Sequence, residues 1–85
     1  MVFLFSKKIM KLKELPFKIG MQYENWEFDL ELERVERSYE VYKYLKEDIV
    51  SINNVSVHEI LLYFELDILF KVEIVLKEKQ IILIT

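Results

Sequence analysis

Two stretches of strict two-residue alternation constrain this chain more than any other feature. In the first, Trp26, Phe28, Leu30 and Leu32 alternate with Glu27, Asp29, Glu31 and Glu33. In the second, Phe70, Val72, Ile74 and Leu76 alternate with Lys71, Glu73 and Lys77. Successive side chains of a β-strand point to opposite faces, so each pattern predicts a strand with one apolar and one charged face. Each also has a hairpin partner in reach. Phe17 to Gln22, joined through Tyr23, Glu24 and Asn25, completes a hairpin over 17–33, and Ile81 to Thr85 follows a turn at Lys77 to Gln80. That last run lacks polar alternation, which predicts burial on both faces or pairing across an interface.

Between the hairpins the period changes. Leu32, Val35, Tyr39, Tyr42, Leu45 and Ile49 recur three or four residues apart, which predicts a helix over about 34–47. Glu33/Arg37 and Lys43/Glu47 would support it by a few tenths of a kcal/mol each. Tyr42 and Tyr44 flanking Lys43 favour a strand instead, so residues 38–46 stay open between the two. Asn53 and Asn54 tolerate left-handed backbone and predict a turn. Ser56 followed by Glu59 has the form of a capping box, which predicts a second helix over 57–65.

At the start of the chain, Val2, Phe5, Ile9, Leu12 and Leu15 suggest a helix from about residue 6, ended before Pro16. Met10 is an alternative start, which would make residues 1–9 a non-native or flexible extension. The resulting order is (α)ββααββ: a small α+β domain of two β-hairpins with two helices between them. Eighty-five residues give no room for a second core, so 1–85 is read as one domain.

Composition narrows the function classes. A hydrophobic fraction of 53% in so short a chain leaves apolar side chains uncovered, which favours a homo-oligomer, most simply a homodimer. Absence of cysteine removes disulfides, thiolate metal sites and cysteine nucleophiles and agrees with the cytoplasm. The short apolar start, with its lysines after the apolar run, does not have the form of a signal peptide. The most apolar region, Ile60 to Leu76, is broken by Glu65, Asp67, Lys71 and Glu73, so no membrane span is expected. Enrichment in Lys and Glu with short loops suits a thermophile. Lysines at 7, 8, 11, 13 and 18 precede a run of acidic residues, a sign asymmetry that suggests contact between the two segments.

Candidate chemistry is sparse. His58 is the only histidine, and Ser51 and Ser56 are its near neighbours in sequence. It reads as a solvent-facing residue in a helix's first turn, with Ser56 as the cap, more than as a catalytic base. Carboxylates at Glu27, Asp29, Glu31 and Glu33 would lie about 6.8 Å apart on a strand face and could hold a hard cation for hydrolysis, against the simpler reading of a solvated face. One glycine excludes a glycine-rich phosphate loop, and one histidine without cysteine disfavours zinc.

Helices at 34–47 and 57–65 before a ribbon would follow the order of a winged helix. Yet the would-be recognition helix has no Lys or Arg between Val57 and Glu65, so nucleic acid is not the expected partner. Among the aromatics Trp26, Tyr39, Tyr42, Tyr44, Tyr63 and Phe64, most read as core, with Tyr44 the best placed for outward contact. No catalytic, cofactor-binding or metal residues are assigned. The expected function is a non-enzymatic protein-interaction or assembly module acting as a homodimer. The alternatives are a winged-helix regulator and a carboxylate-based metal-dependent hydrolase.

Overall fold

The computed structural model describes residues 8–10, 15–46 and 48–85. Among them there is no α-helix. The elements are seven strands, β1 (Lys8–Met10), β2 (Leu30–Val35), β3 (Glu40–Tyr44), β4 (Ile49–Ile52), β5 (Val55–Glu65), β6 (Ile68–Leu76) and β7 (Ile81–Ile84), and two 3-10 turns at Tyr23–Asn25 and Glu27–Asp29. The chain is therefore all-β, not α+β. No helix among the described residues is long and apolar enough to cross a membrane.

β5 organises the sheet. One of its edges pairs antiparallel with β6 from Val57↔Leu76 to Glu65↔Ile68. The other is shared, with β3 taking Leu61 to Phe64 and β4 taking Val55 and Ser56. β2 extends the sheet beyond β3, β7 extends it beyond β6, and β1 pairs parallel with β4. Two rows of side chains cross the strands on one face. Tyr42, Leu62, Val72 and Ile84 stand in register, as do Ile60, Ile74 and Ile82.

Residues 15–29 lie across this face as a strap whose Leu15, Phe17, Met21, Tyr23 and Trp26 complete the main core. The Gly20 N–H donates to the Leu69 carbonyl (2.8 Å), the Leu69 N–H to Met21 (2.8 Å) and the Tyr23 N–H to Asp67 (2.8 Å). The strap thus occupies the part of the β6 edge that β7 does not reach. Gly20 has φ +98°, a conformation in which a side chain would be strained. The opposite face has its own smaller cluster, Val41, Leu61 and Tyr63, packed with Tyr39 and Phe70.

The two expected helices fail for different reasons. β5 buries Ile60, Leu61, Leu62, Tyr63 and Phe64 in succession, because the sheet is covered on both faces there. A contiguous apolar run contains helical and strand spacing alike, so periodicity cannot separate them. Ser56 and Glu59 form no capping box: they pair with Ser51 and Val75 as strand residues. The expected helix over 34–47 is the end of β2, a turn closed by the Glu36 N–H to Tyr39 carbonyl bond, and β3, where Val41 faces one cluster and Tyr42 and Tyr44 the other.

The hairpin expected over 17–33 does not form, since its first half is the strap and Glu27–Asp29 lies in 3-10 geometry. Of the N-terminal helix, residues 8–10 are a strand and the remainder lies outside the described residues. The turn at Asn53 and Asn54 and the β6–β7 hairpin are where the turn chemistry and alternation put them.

Two two-residue turns bracket β5, and they differ in chemistry. Asn53 and Asn54 have φ of 52° and 69°, conformations that asparagine tolerates. Leu66 and Asp67 adopt φ of 51° and 67°, and Leu66 is 90% exposed, so it carries left-handed strain without compensating burial. Leu66→Asn should raise the unfolding free energy by about 1 kcal/mol, measured by urea denaturation. An unchanged or lower midpoint would contradict this reading of the turn.

Candidate functional site

Two surface features stand out when exposure, charge and pairing are considered together. The first is the outer edge of β7. Among the described residues it pairs with β6 only, and none of Ile81, Ile82, Leu83 and Ile84 is charged. Ile81 and Leu83 are each 56% exposed. The contrasting edge, β2, carries Glu31, Glu33 and Arg34, and its pairing shifts between Leu32 and Arg34. Charges and bulges are the ordinary devices that stop an edge strand from recruiting another, and β7 has neither.

The second feature is a cleft of about 580 Å³ where β3 gives way to β4. The β3–β5 ladder ends at Lys43↔Leu61 and the β4–β5 ladder begins at Ser51↔Ser56, so among the described residues no strand pairs with residues 57–60 of β5 along this edge. On the other edge Val57 faces Leu76 while Glu59 faces Val75, which makes His58 the extra residue of a bulge. Bulges re-aim side chains in this way. His58 is exposed and borders the cleft with Lys43, Lys46 and Lys77. Beside them, Tyr44 is buried, its ring centroid 4.9 Å from that of Phe17, and its hydroxyl donates to Asp48 Oδ1 at 3.1 Å. Burial, then the bond to Asp48, pushes the Tyr44 phenol well above the usual tyrosine range. Tyr44 is thus a core residue, not the outward contact expected of it.

The remaining candidates are dispersed. Glu27 and Asp29 sit in a 3-10 turn while Glu31 and Glu33 lie on β2, so the even carboxylate ladder is not formed. Among the described residues no three His, Cys, Asp or Glu side chains come together as a metal site. Ser51 and Ser56 pair across β4 and β5. Trp26, Tyr42, Tyr44 and Phe64 belong to the main core, whereas Tyr39 and Tyr63 lie on the other face. There the Tyr63 hydroxyl donates to Glu73 Oε1 at 2.8 Å, and Lys71 Nζ stands 4.1 Å from the ring centroid. Of the early lysines, positions 7, 11 and 13 lie outside the described residues, and their contact with the acidic run falls there too.

Sequence reasoning missed the convergence of Lys43, Lys46 and Lys77. They come from β3, from the chain after it and from the turn after β6, and nothing in their spacing marks them as neighbours. Comparison with protein-family models, with curated proteins and with solved structures gives no match.

Proposed function

We propose that this chain is a non-enzymatic interaction module that acts as a homodimer, joined by antiparallel pairing of the β7 edges of two copies. One observation carries the reading: among the described residues β7 is paired along one edge only, and it is uncharged and unbulged. A second copy is the fitting occupant because pairing about a two-fold axis keeps each face continuous. The partly buried Ile82 and Ile84 would extend the main core, and the exposed Ile81 and Leu83 would cover one another. Main-chain hydrogen bonds supply affinity in strand addition and side-chain contacts supply specificity. The cytoplasm is the compartment that suits a chain without cysteine. The winged-helix alternative loses its basis, since the segments meant to be its helices are strands. The hydrolase alternative likewise loses the regular carboxylate face that motivated it.

Multi-angle light scattering tests the proposal. The native chain should run as a dimer at micromolar concentration, and Leu83→Lys should run as a monomer with an unchanged far-ultraviolet circular dichroism spectrum, because a charge on an edge strand opposes pairing. Leu32→Lys, on the opposite edge, should remain dimeric. A native chain that is monomeric at high micromolar concentration, or a Leu83→Lys chain that stays dimeric, overturns it.

A further inference from the structure

The cleft beside His58 has a charge that the chain as a whole does not. The protein carries a net charge of -3, yet Lys43, Lys46 and Lys77 line this one cavity with His58, against a single lining carboxylate among the described residues, that of Glu59. The three lysines make no ion pair among the described residues. Asp48, close by in the chain, accepts the Tyr44 hydroxyl. A concavity lined by one sign of charge focuses its field and raises the local concentration of counter-ions. Along this edge the stretch of β5 between Val57 and Ile60 adds main-chain groups that no strand among the described residues takes up. Backbone N–H groups in such a position bind anionic oxygens as readily as side chains do. Leu45, which is exposed, and the partly buried Val50 and Val57 give the same cavity an apolar part.

We infer that this cleft binds a small phosphate monoester, its phosphate held by Lys43, Lys46 and Lys77 and its organic body set against Leu45, Val50 and Val57. Three ammonium groups match a dianion with three terminal oxygens, whereas a monocarboxylate would leave most of that charge unused. A volume of about 580 Å³ accommodates a molecule of metabolite size. The site is independent of the β7 edge, so a monomeric chain would retain it.

Isothermal titration of the full chain with phenyl phosphate, a monoester with an apolar body, tests the assignment. Saturable binding is expected, weakened at least about tenfold by Lys43→Gln combined with Lys77→Gln, and about as much when benzoate replaces phenyl phosphate. Amide chemical-shift changes in the native chain should centre on residues 57–60, a readout that does not depend on the variant folding. The inference is overturned by no binding at millimolar ligand, by equal binding of benzoate, by undiminished binding in a folded double variant, or by shift changes centred elsewhere.

Discussion

Phe64→Ala should lower the unfolding free energy by about 3–5 kcal/mol, the largest single-site loss expected in this chain. Phe64 is fully buried on β5, opposite Glu40 of β3 and Leu69 of β6, and its ring meets Tyr23 and Tyr42 edge-on, both at 5.7 Å between centroids. Those contacts join the sheet to the strap, so the cavity left by alanine lies between the two layers and has little means of collapsing. Small domains are stable by only about 5–15 kcal/mol, so a loss of this size takes much of the total. Urea titration at neutral pH measures it, and Phe64→Leu, which keeps most of the volume, should cost markedly less. A Phe64→Ala chain within about 1 kcal/mol of the native one would mean that the strap does not pack as described.

The second large effect is alkaline. Tyr42, Tyr44 and Tyr63 all have phenols shifted upward, burial being the first cause in each. The bond to Asp48 adds to it for Tyr44 and the bond to Glu73 for Tyr63, where Arg34 opposes. A phenol that holds its proton more tightly when folded contributes nothing pH-dependent below the unfolded value of about 10. Above it the unfolded chain gains by ionising while the folded chain does not. Stability is therefore full at neutral pH and falls as pH rises past about 10, by at most about 1.4 kcal/mol per pH unit for each such tyrosine. Chemical denaturation at a series of pH values should show the decline, and Tyr44→Phe should make it shallower while weakening the chain slightly at neutral pH through loss of the Asp48 bond. A Tyr44→Phe chain with the native slope would remove Tyr44 from the account.

What could be read from sequence depended on whether one face of a strand meets water. β6 could be read because Lys71, Glu73 and Val75 are only partly buried while Val72, Ile74 and Leu76 are buried, so its alternation survives from Lys71 onward; Phe70, expected on the face of Val72, is the extra residue of a bulge and packs with the opposite cluster. The Asn53–Asn54 turn was equally legible, since both residues tolerate the backbone they adopt. β5 was not, because both of its faces are covered and the resulting apolar run satisfies a helical template as well as a strand, whereas β3 stayed open between the two, with Tyr42 and Tyr44 flanking Lys43 as the signal that fits it. The strap was illegible for another reason: Gly20, Met21 and Tyr23 are held by main-chain bonds to Leu69 and Asp67, far later in the chain. As for the site, the lack of polar alternation over Ile81 to Ile84 already pointed to β7, and His58 was noticed as a lone imidazole. The lysines around it were not, because only the break between β3 and β4 makes them neighbours.

That β5 serves both sides of the sheet sets the order in which the molecule can come apart. β7 and the strap each touch β6 along part of one edge and can be released while the rest stays paired. β5 cannot, because β3, β4 and β6 all lose their partner with it. In native-state hydrogen exchange, amides near Gly20 and Tyr23 should therefore report shallow local openings. Those of Leu61 to Phe64 should exchange only through global unfolding, with protection that tracks the free energy of the whole domain.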